Sequence, residues 1–274
     1  MSQYVLSTGE EAEARLQLVD EVHGPDTERF LLQAGLKTGM QVAELGCGAG
    51  LVSVRIARRL QTAGQLTAID INADQVEVAR KRIENEQLKN VRFQVSSATQ
   101  TTLESNQFDM VTCRFLLMHL SQPNAALHEM IRILKPGGIL AVEEGDFSSL
   151  FCWQAVPAFQ RCMHIYRLAG ERQGENFDIG QSLFQMIRSH KMSDVKAQLV
   201  QPLYSDGIGK TLPLWTLKEC SPFVIENHIA SREEVGKLAE EIKQLEQNPD
   251  VLMGMARMTQ VWAKKPFSLT EASQ

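Results

Sequence analysis

The stretch 42-VAELGCGAGL-51 sets Gly46, Gly48 and Gly50 at alternate positions directly after an apolar run that holds one acid, Glu44. Glycines spaced in this way after a strand let the backbone turn sharply and approach a ligand, because no Cβ stands in between. The residues that follow, Leu51, Val52, Ile56 and Leu60, fall at helical spacing. Strand, glycine loop and helix together place a ligand at the carboxyl end of the strand.

Strand and helix signals alternate outward from this loop, from Gln41 to Asp146. Residues 41–45 and 65–70 read as strands. Asn72 stands where a helix N-cap belongs, with Gln75 in the capping-box position and Ala73, Val76, Ala79 and Ile83 on one face. Residues 91–95 and 108–113 are further strands. Pro123 opens a helix through Leu127, Met130, Ile131 and Leu134, and Lys135-Pro136-Gly137-Gly138 turns the chain into a fifth strand at 139–142. Strands and helices in this order predict an α/β fold, with a parallel sheet wound on both faces.

The flanks carry a different signal. Residues 9–36 read as helical with a break near Gly24-Pro25. Residues 151–190 read as helical and hold the cluster Phe151, Cys152, Trp153, Phe159, Met163 and Tyr166. Residues 194–204 and 256–263 read as strands. Ser231-Arg232-Glu233-Glu234 is a capping box that opens a helix through Val235, Leu238, Ile242 and Leu245. No internal repeat or low-complexity linker interrupts the chain, so residues 1–274 are expected to form one domain. Its parts are an N-terminal helical cap at 1–36, a core at 37–147, a helical insertion at 148–192 and a C-terminal part at 193–274 that completes the sheet.

Three features narrow the ligand. A dinucleotide fingerprint G-x-G-x-x-G needs glycine at position 51, where the chain has Leu51, and no P-loop lysine follows the glycines. Asp70 ends the second strand about 20 residues on, where an acid accepts hydrogen bonds from ribose hydroxyls. Glu44 would repel a pyrophosphate and suits a ligand that carries positive charge. S-adenosylmethionine has a sulfonium, an ammonium group and no phosphate. A nicotinamide-dependent oxidoreductase is the competing reading, and Leu51 and Glu44 both speak against it.

Residues 42–50 resemble the first motif of class I S-adenosylmethionine-dependent methyltransferases, E/D-x-G-x-G-x-G. Ala68-Ile69-Asp70, Phe108-Asp109-Met110-Val111 and Leu134-Lys135-Pro136-Gly137-Gly138 are similar to that family too, closest to the small-molecule branch of ubiquinone and menaquinone C-methyltransferases. The opening Tyr4-Val5-Leu6, before an acidic helix with Arg15-Leu16, fits the same branch. The resemblance implies a doubly wound, mostly parallel seven-stranded Rossmann-like sheet with added helices as a cap. It also implies S-adenosyl-L-methionine as cofactor and S-adenosyl-L-homocysteine as product. Carried over by position, Gly46, Cys47, Gly48 and Gly50 approach the methionine part and the ribose, and Glu44 helps to hold the ammonium. Asp70 takes the ribose hydroxyls, Ile71 packs on the adenine, and Gln75 reaches the ribose or the adenine edge. Tyr4, Arg114 and Phe115 complete the set. The family often has an acid after the third strand; here Ser96-Ser97-Ala98-Thr99 stands instead, so Ser97 and Ala98 are expected at the adenine without charge.

A sulfonium methyl group is already activated, so the protein must chiefly align a nucleophile and exclude water. A base is needed only if the acceptor loses a proton as it attacks. His119, Glu144 and Asp146 are the candidates; Glu143 and Glu144 alternate in a strand, so one of the two is expected to face the cleft. His164 and Tyr166, with Phe151, Trp153 and Phe159, suggest an apolar cap over a small hydrophobic or aromatic acceptor. No metal-ligand spacing is visible among the histidines and acids.

Composition sets the outer limits. The formal charge of −5 gives no reason to expect nucleic acid as partner. Cys113-Arg114-Phe115-Leu116 also stands where a nucleic-acid methyltransferase would carry N/D-P-P-Y/F. The five cysteines contain no C-x-x-C and suit a reducing compartment. Neither a signal peptide nor a membrane span is expected, so the protein is expected in the cytoplasm, as a monomer or homodimer. A non-catalytic relative that keeps the fold is the remaining alternative.

Overall fold

In the computed structural model, which describes residues 13–267, β1 (Gln41–Leu45) lies between β2 (Gln65–Asp70) and β4 (Phe108–Arg114) at the centre of a seven-stranded sheet. β3 (Val91–Val95) is the edge beyond β2, and β5 (Leu134–Asp146) follows β4. These five strands are parallel. β10 (Arg257–Lys264) then pairs antiparallel with both β5 and the far edge strand β7 (Ser193–Val200). The strand order reverses between β1 and β4, and such a switch point opens a crevice at the carboxyl ends of the strands.

Alternation along the strands makes two apolar layers. Val42, Leu66, Met110 and Ala141 face α1 (Glu13–Ala34) and α2 (Leu51–Leu60), packing on Phe30, Leu31, Ile56 and Leu60. Ala43, Leu45, Val111, Leu140 and Val142 face the other way, into a larger core with α4 (Pro123–Ile133) and the C-terminal helices. Between β2 and β3, α3 (Ala73–Asn85) starts as its sequence predicts: Asn72 Oδ1 accepts from the backbone N–H of Asp74 and Gln75.

The flanks depart from the sequence reading in four places. α1 runs unbroken through Gly24-Pro25. Tertiary contact overrides the local signal there, because Arg55 of α2 forms an ion pair with Asp20 at 2.7 Å and crowds against Gly24, where a Cβ would lie 2.5 Å from Nη2. Phe151–Trp153 is a short strand, β6, and not the start of a helix. It joins β9 (Leu252–Gly254) and β8 (Leu203–Tyr204) in a separate three-stranded sheet. The strand expected at 194–204 is therefore divided between two sheets; the division falls at Gln201-Pro202, where proline has no N–H for a ladder. Finally, α7 (Leu212–Glu226) forms in a stretch where no element is expected from the sequence.

α5 (Pro157–Arg172), the short α6 (Leu183–Ser189) and α8 (Arg232–Gln247) complete the helical part, with Ser231 Oγ accepting from Glu234 N as the cap of α8. α5, α7 and α8 pack on one another, and α1, α5 and α7 supply residues to the lining of the crevice. Among the described residues no helix is long and apolar enough to cross a membrane.

Candidate active site

The glycine loop is held open by backbone bonds. Cys47 N donates to Ile69 O at 2.9 Å, and Gly48 N donates to Asp70 Oδ2 at 2.9 Å. The other oxygen, Asp70 Oδ1, accepts from Asn72 N at 3.0 Å. Asp70 thus ties the loop to the start of α3 besides facing the crevice. Burial raises its pKa, and the N–H groups of Asn72 and Gly48 act against that rise. Two of the glycines have distinct reasons to be glycine. Gly48 has φ 50°, and a Cβ there would meet nothing within 4 Å, so its bare backbone faces open space. Gly50 has φ 78° and rests on α3, where a Cβ would lie 2.9 Å from Ala79 Cβ and 3.0 Å from its Cα.

The crevice is a cavity of about 970 Å³. The structure brings Glu44, Gly46, Cys47, Gly48, Asp70, Ile71, Gln75, Arg114, Phe115 and His119 into its lining. Ile71 is 72% exposed, an apolar platform at the mouth. Gln75 is buried, and its Oε1 has no hydrogen-bond partner. A bare glycine backbone, a carboxylate at the strand end and an orphaned amide oxygen fit an adenosine with ribose hydroxyls and an amino group to donate.

Other expected residues lie elsewhere. Gly50 shapes the loop from below and does not line the cavity. Ser97 Oγ shares a hydrogen bond with Thr99 Oγ1 at 2.9 Å, Ala98 is part of the apolar core, and neither reaches the lining. Tyr4 lies outside the described residues. Of the residues expected near the acceptor, Tyr166 lines the cavity, whereas His164 is exposed on the opposite face of α5 and Trp153 is 66% exposed.

The charge around the glycine loop is acidic. Glu44 is 4% exposed and its Oε2 accepts from Ser53 Oγ. Burial pushes its pKa up to about 7; the Ser53 bond and Arg114 pull it down, and Asp70 and Asp20 push it further up. Arg114 Nη2 meets Asp20 at 3.2 Å, and its Nη1 donates to Thr27 Oγ1 at 3.1 Å. Thr27 Oγ1 donates in turn to Glu143 Oε2, whose second oxygen accepts from Gln260 Nε2. His23 of α1 also faces the cavity, and burial drives its pKa down to about 3, with Arg114 adding to the fall.

The three carboxylates at the end of β5 do not line the cavity. Glu143 belongs to the seam beneath α1. Glu144 accepts from the N–H groups of Leu116 and Leu117 at 2.9 and 2.6 Å, and burial pushes its pKa up to about 8. It shapes the turn after β4. Asp146 pairs with Arg257, accepts from Ser148 Oγ and Gln181 Nε2, and lies in a separate surface groove. His119 alone of the three base candidates faces the cavity, and its Nδ1 lies 2.9 Å from Glu175 Oε1. The sequence reading missed Glu175 and Gln173, which line the same wall from the turn after α5. No motif marks them: they are two polar residues in an ordinary polar turn. The remaining lining includes the apolar Met118, Phe147, Leu150, Met163, Leu212 and Met255 and the polar Arg15, Ser121 and Thr216.

Among the described residues, no group of three or more His, Cys, Asp or Glu is placed to hold a metal ion. All five cysteines are buried and free.

A family model described as a methyltransferase domain matches residues 36–193. A ubiquinone/menaquinone biosynthesis C-methyltransferase of Shewanella halifaxensis is 34% identical over 119 residues, 43% of this chain and 47% of that protein. A demethylmenaquinone methyltransferase of Staphylococcus aureus is 28% identical over 146 residues, 53% of this chain and 57% of that protein. The chain spans about half the length of the curated relatives it matches. Phosphoethanolamine N-methyltransferase 2 of Haemonchus contortus, solved with phosphomonomethylethanolamine and S-adenosylhomocysteine, shares the fold at a TM-score of 0.55. It is 18% identical, and the match covers 88% of this chain and 53% of that one.

Proposed function

We propose, since the chain belongs to the methyltransferase domain family and has the class I S-adenosylmethionine-dependent fold, that it transfers a methyl group from S-adenosylmethionine to a small, hydrophobic or aromatic acceptor. The observation that carries this reading is the division of one cavity into two unlike halves. One half has the glycine backbone, Glu44, Asp70 and Gln75; the other has Met118, Phe147, Leu150, Met163, Tyr166 and Met255. At about 970 Å³ the cavity is near the upper end of the usual range for ligand sites and has room for two small molecules side by side.

Bound S-adenosylmethionine supplies a methyl group made electrophilic by the positive sulfur. The residues of the chain do the rest. Asp70 accepts the ribose hydroxyls, Gln75 Oε1 accepts from a donor of the nucleoside, and Ile71 covers the base. Glu44 offsets the ammonium charge, and Arg114 lowers the pKa that burial raises in this carboxyl. The apolar half excludes water and fixes the acceptor in line with the methyl group. Such alignment supplies up to about 7–11 kcal/mol of a barrier when the geometry is right. Methionine and aromatic walls suit a flat ring. The names of the two bacterial relatives place them in quinone biosynthesis, which supports an aromatic acceptor.

Calorimetry with S-adenosylhomocysteine tests the reading. The wild-type chain is expected to bind it and to leave NAD unbound. Asp70→Ala is expected to weaken binding by about 100-fold, since hydrogen bonds to a charged group are worth about 1.5–3 kcal/mol each. Binding that survives this change at full strength would remove Asp70 from the site. NAD binding in place of the homocysteine compound would overturn the reading.

A further inference from the structure

We propose that Glu175 is a positioning residue which holds His119 as proton acceptor for an acceptor molecule whose attacking atom carries a proton, a hydroxyl or an acidic carbon. The inference rests on the methyl-transfer reading and adds to it the chemistry of the acceptor.

Three observations meet here. First, the pair joins two elements that are far apart in sequence: His119 ends the turn Leu117–His119 after β4, and Glu175 lies in the turn after α5. Second, both residues line the acceptor half of the cavity, and the Glu175 side chain is only 4% exposed. Third, Glu175 Oε1 meets His119 Nδ1 at 2.9 Å, while Oε2 is buried with no hydrogen-bond partner. A buried unpaired acceptor costs stability; Glu144 Oε2 is bare in the same way, and Glu175 differs in that its other oxygen meets an imidazole in the cavity lining. One oxygen on an imidazole and the other bare is the arrangement of a group that orients a histidine towards a ligand.

The chemistry follows from the tautomer. With Nδ1–H donating to Glu175, the lone pair of the ring is on Nε2. His119 Nε2 takes the proton as the acceptor's X–H bond breaks. The freed electron pair forms the X–CH3 bond, and the pair from the broken methyl–sulfur bond stays on sulfur. The carboxylate of Glu175 stabilises the imidazolium that results, and the proton leaves to water with the product. Phe177 stands edge-on to the His119 ring at 5.9 Å and limits its rotation. An acceptor that attacks through a free amine would not need this pair.

Diethyl pyrocarbonate, which carbethoxylates an unprotonated histidine nitrogen, reads the reactive lone pair directly. The full chain is treated at neutral pH and each histidine is followed by peptide mass spectrometry. His23 faces the same cavity without touching the pair and serves as the internal reference. The wild-type His119 is expected to react. In Glu175→Ala the imidazole is free to place its proton on Nε2, and modification of His119 relative to His23 is expected to slow by roughly tenfold. Glu175→Asp is expected to restore part of the rate. Long-range 1H–15N spectra of the imidazoles should show the same change, from an Nδ1–H to an Nε2–H tautomer. S-adenosylhomocysteine binding is measured on each variant. Loss of binding in the wild-type chain defeats the methyl-transfer reading. Retained binding with an inert wild-type His119, or with a rate indifferent to Glu175→Ala, defeats the pair alone. Should Glu175→Ala fail to fold, Glu175→Asp and the wild-type reactivity decide the matter by themselves.

Discussion

The two halves of the cavity are built in different ways. The cofactor half comes from one continuous run, residues 44–75, in which each strand hands a side chain or a loop to the next helix. The acceptor half gathers pieces of α1, the turn after β4, Phe147 and Leu150, α5, the turn at 173–175, α7 and Met255. A ligand approached by backbone imposes positive φ angles and bare Cα atoms, and these demands write glycine into the chain. A ligand enclosed by apolar area imposes only volume, which any core residue supplies. Met163 and Tyr166 face the cavity while Phe159 and Cys162 on the same helix fill the core, and composition does not distinguish the two pairs.

The sharpest way to break the cofactor half is through its backbone. Gly50→Ala puts a Cβ 2.9 Å from Ala79 Cβ and 3.0 Å from its Cα at φ 78°, against helix backbone that cannot yield as a side chain would. Left-handed strain costs about 1–2 kcal/mol and overpacking about 1–3 kcal/mol. Thermal melting should therefore show a loss of about 2–5 kcal/mol, and calorimetry a loss of S-adenosylhomocysteine binding. The corresponding change in the acceptor half, Met163→Leu, conserves volume and should cost less than about 1.5 kcal/mol, with cofactor affinity unchanged. Equal damage from both would mean that the halves are one cooperative unit.

Glu44 sharpens the comparison through pH. Burial holds its carboxyl near 7, above the ordinary 4.5, so the folded state binds a proton more tightly than the unfolded chain. That contribution is present in full below about pH 4.5 and is lost as pH rises through 7. Above pH 7 the ionised, buried Glu44 costs the fold up to about 3 kcal/mol. Glu44→Gln should then melt higher than wild type at pH 8, with the gap closing towards pH 5. The ionised form is the one that suits a cation, so wild-type affinity for S-adenosylmethionine should fall as pH drops through 7. In the variant, affinity should be weaker and nearly flat over that range. A wild-type affinity indifferent to pH between 6 and 8 would remove Glu44 from contact with the charged part of the ligand.

What was legible in the sequence follows the same division. The five parallel strands, the caps at Asn72 and Ser231 and the place of Glu44, Asp70 and Gln75 at the cavity follow from local signals along the chain. The unbroken α1 was not legible, because Pro25 is held helical by Arg55 and the core on either side of it. Nor was α7, whose internal Pro222 and weak apolar stripe hide a helix stabilised by packing on α5 and α8. Glu175 left no trace at all. Its partner is His119, on another element, and only the fold brings them together. The ends of β5 show the converse error: Glu144 and Asp146 looked like candidate bases because they stand near the right strand end, yet backbone N–H groups claim one and Arg257 the other.

The smallest expected effect lies where the family pattern and the structure diverge. An acid usual in the family after β3 is absent, and Ser97 stands there with its hydroxyl engaged by Thr99 Oγ1 and by Thr99 N at 3.3 Å. The turn is thus satisfied within itself and set back from the cavity. Ser97→Ala should cost no more than about 1 kcal/mol, the worth of an ordinary hydrogen bond, and should leave S-adenosylhomocysteine affinity within about twofold. A loss of about tenfold or more, equal to about 1.4 kcal/mol, would mean that the turn closes on the adenine when the site is filled. The cofactor half would then depend on a movement, and its construction from local rules would be incomplete at that one wall.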